Sequence, residues 1–152
     1  MKLIDINRDN WEEVIMLTTD KEGKHILGEE FVASNAYSII QATYEKGWTI
    51  KAIENDKKLI GFTMYGFSEE DNCYELCRFM IDRKFQGKGY GKKALALIID
   101  EMKKNCPHDE IYLSVDPENF KAKHIYEQLG FISTGKIIDE EEVYEMKFNT
   151  SK

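Results

Sequence analysis

The sequence predicts a three-layer α/β (α+β) domain, a mixed sheet flanked by helices in the order βαα-βββ-α-β-α-ββ. Three observations predict it. Helix-period and strand-period stretches alternate along the chain with no low-complexity linker, repeat or heptad run between them. Three strand-like stretches follow one another mid-chain, separated by short polar turns. The 152 residues, 42% hydrophobic and 32% charged, suit one globular domain over 1–152 and not a disordered chain.

Residues 3–6 read as a short strand. Asn10 is placed to cap a helix with Trp11, Val14, Ile15 and Thr18 on one side. Beyond a polar stretch containing Gly23 and Gly28, Ser34 caps a second helix. Its Ala36, Ile39, Ile40 and Thr43 follow the i, i+3, i+4, i+7 spacing, and Gly47 ends it. The meander covers residues 48–54, 59–67 and 73–82, with turns at 55–56 and 68–72. A helix after Gly91 places Leu95, Ile98, Ile99 and Met102 on one face. In residues 110–116, Ile111, Leu113 and Val115 alternate with Tyr112, Ser114 and Asp116, which is a strand that Pro117 stops. Asn119 opens a helix that Gly130 ends. Residues 131–138 and 143–148 form a last strand pair, with Asp139-Glu140-Glu141-Glu142 as the hairpin tip.

Lys and Arg number 21 against 28 Asp and Glu, a net charge of −7. That balance disfavours nucleic acid and anionic lipid surfaces and favours small cationic partners. No apolar run approaches the roughly 18 residues a membrane span needs, and the first residues lack a secretory pattern. The three cysteines, Cys73, Cys77 and Cys106, form no Cys-x-x-Cys pair, which fits buried thiols in a reducing, cytoplasmic compartment. His25, His108 and His124 are scattered without metal-ligand spacing, so no metal is expected.

Residues 83–93 hold five positive charges and no negative ones inside this acidic chain. Gly87, Gly89 and Gly91 alternate there, between a strand and an amphipathic helix. Glycines let backbone N–H groups approach a ligand, and the helix start adds unpaired donors and the positive end of its dipole. Together they make a phosphate cradle, with Lys88, Lys92 and Lys93 to supply charge. A solvated basic turn is the plainer alternative. The spacing is neither a Walker-A loop nor the G-x-G-x-x-G dinucleotide fingerprint, and no opening βαβ unit is present.

Gln86-x-x-Gly89-x-Gly91 resembles the pyrophosphate loop (Gln/Arg-x-x-Gly-x-Gly/Ala) of the GNAT superfamily, the acetyl-CoA-dependent N-acetyltransferases. The strand Glu75-Leu76-Cys77-Arg78-Phe79-Met80-Ile81-Asp82 is similar to its pantetheine-binding strand. Asn119, Ala122, Tyr126-Glu127 and Gly130-Phe131 resemble its downstream signature, so the likeness spans residues 59–131. The resemblance implies a mostly antiparallel sheet and acetyl-CoA as co-substrate. It implies that the main chain at Phe79, Met80 and Ile81, the loop residues Gln86, Gly87, Lys88, Gly89, Tyr90, Gly91 and Lys92, and Asn119 hold acetyl-CoA. It also implies direct attack by a primary amine in a ternary complex, with Tyr126 protonating the departing sulfur. Phe31-Val32-Ala33-Ser34-Asn35-Ala36-Tyr37-Ser38 and Met64-Tyr65-Gly66 are similar to the diamine and spermine/spermidine acetyltransferase subgroup, which implies a polyamine acceptor. Cys77 departs from relatives that carry an acidic residue nearby.

Each role has a plainer competitor. Ala122, Ile125, Tyr126 and Leu129 form one helical face, so Tyr126 is open to being a core aromatic, and Asn119 to being an ordinary N-cap. Glu75 shares a strand face with Cys77 and is open either to taking the amine proton, directly or through water, or to pairing as a surface carboxylate with Arg78 or a lysine across the strand. A Cys–His nucleophile at Cys77 has no local support. Glu29, Glu30, Glu69, Glu70 and Asp71 suit a polycation but equally suit solvated turns. Other acceptors (an amino acid, an aminoglycoside-like amine, a protein N-terminus) and a non-catalytic acyl-CoA or polyamine sensor are the rival functions. The resemblance also leaves a homodimer through the C-terminal strands open.

Overall fold

In the computed structural model, which describes residues 1–23, 28–29 and 32–148 (backbone alone at 28, 29 and 32), helices cover both faces of one long sheet. The elements in chain order are β1 (Lys2–Ile4), α1 (Trp11–Met16), β2 (Gly28–Glu29), β3 (Val32–Ala33), α2 (Asn35–Tyr44), β4 (Trp48–Asn55), β5 (Lys58–Ser68) and β6 (Cys73–Ile81). After a 3-10 turn at Arg83–Phe85 come α3 (Tyr90–Asn105), β7 (Glu110–Val115), α4 (Phe120–Gln128), β8 (Ile132–Ile138) and β9 (Glu141–Lys147). Seven strands pair in the order β1-β4-β5-β6-β7-β9-β8, and every pairing is antiparallel except β6 with β7. None of the described helices is long and apolar enough to cross a membrane.

Two cores result. The α3 face lays Ala94, Leu95, Ile98, Ile99 and Met102 on Ile53, Ile60, Leu76, Ile111 and Leu113, the face its helical period predicts. On the other side Val14 and Leu17 cover Ala52, Phe62, Met64 and Met80.

The N-terminal third departs from expectation. The first helix stops at Met16, short of Thr18, and Asn10 does not cap it: its Oδ1 accepts from the Asn7 N–H and its Nδ2 donates to Asp5 O. The extra pair β2–β3 and the 3-10 turn carry no strong sequence signal. Ser34 does cap α2, accepting from the Tyr37 N–H at 3.2 Å. Yet that helix buries Asn35 and Ser38, leaving Ala36, Ile40 (60% exposed) and Thr43 outward. The cause is polar: Asn35 Nδ2 donates to Val14 O at 2.9 Å and Leu17 O at 3.4 Å, adding a second donor to a Val14 carbonyl that already takes the Leu17 N–H at the end of α1. Strand ends shift by one or two residues, and the acidic tip narrows to Asp139-Glu140, both at positive φ, with Glu141 and Glu142 already in β9. His25, Glu30 and Phe31, and the side chains of Glu29 and Val32, lie outside the described residues.

Gly66 sits opposite Trp48 in the β4–β5 ladder, where a Cβ would fall on the Gly47 carbonyl oxygen. Because the obstacle is backbone, it cannot swing aside. Gly66→Ala is expected to destabilise the fold by about 3 kcal/mol, read as a drop in the midpoint of urea unfolding.

Candidate active site

Strand β6 changes partner and phase at Cys77. Its ladder with β5 runs Tyr65↔Leu76 and then Met64↔Arg78, so Cys77 is the extra residue of a β-bulge. The bulge reverses side-chain parity: Tyr74 and Leu76 face the α3 core, then Phe79 and Ile81 do, while Cys77 and Met80 face the α1–α2 side. Pairing with β7 is limited to Glu75↔Tyr112 and Leu76↔Leu113. Beyond those two pairs the parallel strands diverge, which leaves the β7-facing main chain of residues 77–81 without a strand partner among the described residues. Phe79, Met80 and Ile81 lie along that open edge.

The glycine loop starts where this edge ends, and its entry is braced. Asp82, 4% exposed, accepts from the Thr18 N–H at 2.8 Å and the Lys84 N–H at 3.0 Å, and the Arg83 N–H donates to Thr18 O. Gln86 Nε2 donates to Ile81 O at 2.9 Å, so its side chain ties the loop back to β6. Gly89, with φ of 81°, is the N-cap of the sixteen-residue α3. Among the described residues, no atom beyond the chain neighbours and the helix's own backbone comes within 4 Å of where a Cβ would stand at Gly87, Gly89 or Gly91, so the space above the loop and the helix N–H groups is open to an anion. Lys88 arches over Phe85, its Nζ 5.7 Å from the ring, while Lys92 and Lys93 are exposed on the first turn of α3.

Helix α4 begins with Asn119 Oδ1 accepting from the Ala122 N–H at 3.2 Å, the capping role its residue type suggests. Tyr126 packs edge-on against Phe131 at 6.0 Å, on the rim of the α3-side core. Burial pushes its phenol up to about 12, with a smaller push from Glu141, and no described residue hydrogen-bonds its hydroxyl. It is thus both a packed aromatic and a protonated donor left uncommitted.

The opposite face of β6, β7 and β9 forms a groove of about 900 Å³ lined by Glu75, Cys77, Arg78, Glu110, Tyr112 and Glu145, among others. Cross-strand register sets Glu75, Tyr112 and Glu145 in one row. Burial, then the nearby Asp71 carboxylate, pushes Glu75 up to about 7. Glu75 forms no ion pair with Arg78 among the described residues. Arg78 instead gives Nη1 to Cys77 Sγ (2.7 Å) and O (3.1 Å), and Nη2 to Gln41 Oε1 (3.1 Å). Burial raises the Cys77 thiol to about 11, outweighing Arg78, which keeps it a thiol at neutral pH. The His108 imidazole lies tilted against Phe67 at 5.9 Å and its backbone N–H donates to Cys106 Sγ, and no hydrogen bond joins the ring to Cys77 among the described residues. Among the described residues no three His, Cys, Asp or Glu side chains converge on a metal position.

The fold thus brings Glu75, the open β6 edge and the start of the loop onto one strand. Glu69 and Glu70 do not line the groove, whereas Asp71 does. Sequence reading missed Glu110, Tyr112 and Glu145 as groove residues and Asp82 as a brace. The polar half of the alternation in β7 was the available signal for the first two.

A family model described as the acetyltransferase (GNAT) family matches residues 8–131. A spermine/spermidine N(1)-acetyltransferase of Bacillus subtilis (strain 168) is 39% identical over 85 residues, 52% of this chain. The match spans 56% of that relative, little more than half its length. A solved spermidine N-acetyltransferase SpeG chimera from Vibrio cholerae and hSSAT superposes with a TM-score of 0.72 over 97% of this chain and 96% of its own, at 20% identity. The PaiA N-acetyltransferase from Thermoplasma acidophilum, solved with coenzyme A, does so with a TM-score of 0.58 over 74% of this chain and 69% of its own, at 23% identity.

Proposed function

The chain belongs to the GNAT acetyltransferase family, and from that premise we propose that it transfers the acetyl group of acetyl-CoA to a primary amine, foremost of a small polyamine such as spermidine or spermine. One observation carries this reading: the break between β6 and β7 has an open, lysine-flanked glycine loop at its end and an acidic groove on the opposite sheet face. The two substrates then meet at the break from opposite faces and react directly, without a covalent enzyme intermediate. The relative named for spermine and spermidine supports the acceptor class.

The cradle suits a pyrophosphate because Gly87, Gly89 and Gly91 leave its floor clear and Lys88 and Lys92 stand beside it. Acetyl-CoA supplies the activated thioester. The open main chain at Phe79, Met80 and Ile81 binds the pantetheine arm by strand-like hydrogen bonds and orients the carbonyl. Asn119, the cap of α4, is assigned to acetyl-CoA by the family pattern. In each turnover a C–N bond forms and a C–S bond breaks. Glu75 takes the proton the amine sheds, directly or through one water, and Tyr126 donates a proton toward the departing sulfur. Asp71, Glu110 and Glu145 hold the charged remainder of a polycation in the groove.

Thiol release from acetyl-CoA, with an enzyme-only blank for the three cysteines, tests this directly against spermine, spermidine, putrescine, lysine and short peptides. Turnover with a polyamine is the expected result; turnover with lysine or a peptide alone would overturn the acceptor. The pH dependence has a defined sign. Glu75 works ionised, and its carboxyl is raised to about 7, so kcat/KM with the best amine should climb as pH rises through about 7. Glu75→Gln should flatten that limb and lower kcat by about 100-fold. A carboxyl raised from 4.5 to about 7 stabilises fully only below about 4.5; that stability is lost as pH rises to about 7 and stays lost above, so the Gln variant should be no less stable than the parent above pH 7.

A further inference from the structure

Helix α4 carries the phenol of the proposed acid step, yet none of its nine residues is fully buried. Ala122, Ile125, Tyr126 and Leu129 only half-bury against the core, so apolar contact fixes the helix loosely. Polar ties to β9 supply the precision. Tyr144, 1% exposed, donates from Oη to Glu127 Oε1 at 3.0 Å. One turn earlier Lys123 Nζ meets Glu142 Oε1 at 3.0 Å, and Ser133 Oγ holds the other oxygen of that carboxylate at 2.6 Å.

The spacing of these anchors is matched. Residues 142 and 144 share one face of a strand, about 6.8 Å apart, and residues 123 and 127 share one face of a helix, about 6 Å apart along its axis. Two in-step ties fix both the position of α4 along β9 and its rotation, which a single tie would not. Tyr126 adjoins the Glu127 anchor, and its own carbonyl accepts from the Leu129 and Phe131 N–H groups at 3.1 and 3.0 Å. The ring of Tyr144 packs in the core whether or not it carries a hydroxyl, so the buried Oη needs a reason, and Glu127 provides the tie to α4 while Glu142 beside it on β9 adds a second carboxylate contact.

We infer that Tyr144 is a positioning residue for the transfer reaction: its bond to Glu127, in step with Lys123–Glu142, sets where the Tyr126 phenol stands. This rests on Tyr126 acting as the acid. The experiment is a double-mutant cycle reading kcat and the acetyl-CoA KM. Tyr144→Phe should lower kcat about tenfold with KM within about twofold of the parent, and should cost nothing further in a Tyr126→Phe background. Glu127→Leu, at an exposed position that folding tolerates, should reproduce the loss, whereas Glu127→Gln, still an acceptor for Tyr144, should keep kcat.

Equal losses with and without the Tyr126 hydroxyl would mark a merely structural role and overturn the inference. Full activity in Tyr144→Phe and Glu127→Leu, with Tyr126→Phe impaired, would overturn it and leave the acid role standing. Full activity in Tyr126→Phe would remove the acid reading and this inference together.

Discussion

Gly89→Glu is expected to reduce acetyl-CoA affinity by at least about 100-fold, enough to remove turnover at ordinary substrate concentrations. Gly89 holds a left-handed φ of 81° as the N-cap of α3, a backbone state that costs a side-chain-bearing residue about 1–2 kcal/mol. Strain is the smaller part. Space is open where the Cβ would stand, so a glutamate at 89 fits, and its carboxylate is placed at the positive end of the helix dipole. There it competes for the donors a pyrophosphate would use and repels the phosphates. The same placement offsets part of the backbone strain, so thermal stability should move far less than affinity. Gly89→Ala separates the two effects: it carries the strain without the charge and should lose only about tenfold. Calorimetric titration with CoA reads both variants. Normal affinity in Gly89→Glu would exclude the loop from cofactor binding.

Tyr126→Phe should lower kcat by about 100- to 1,000-fold while acetyl-CoA affinity stays near that of the parent. The ring and its edge-on contact with Phe131 survive the change, and the hydroxyl removed has no described hydrogen-bond partner, so the melting temperature should hold. A phenol at about 12 remains protonated through the working range, so it adds no limb of its own to the pH profile below that value. The rising limb through about 7 then belongs to Glu75 and should persist in the residual activity of Tyr126→Phe. Unchanged turnover would return Tyr126 to the core aromatic that its helical spacing also describes.

The elements that read correctly from sequence are those whose signals are local. The α3 face follows from four apolar residues at helical spacing, with Ala94 added by the fold. The loop is legible because Gly87, Gly89 and Gly91 mark a turn-to-helix junction and the lysines contrast with an acidic chain. Ser34 and Asn119 announce two helix starts by residue type alone. In α2 the same reasoning placed Ile39 on the core but turned Ala36, Ile40 and Thr43 inward wrongly, because the carbonyls that Asn35 bonds, Val14 and Leu17, lie more than a dozen residues earlier.

Local signals thus carry the order of elements from α2 onward, the glycine turn into α3 and the family likeness, but not the β2–β3 pair between the first two helices. Periodicity, capping and glycine spacing act within one or two turns of chain, and a string of residues displays them in full. Only the tertiary structure decided which residues share the site. The bulge at Cys77 is a mismatch of register between β5 and β6, invisible in either strand alone. The parting of β6 from β7, the row of Glu75, Tyr112 and Glu145, and the ties that hold α4 to β9 all join residues far apart in the chain. Register, burial and shared charge are set by pairing between distant segments, so those properties come into being only when the sheet assembles.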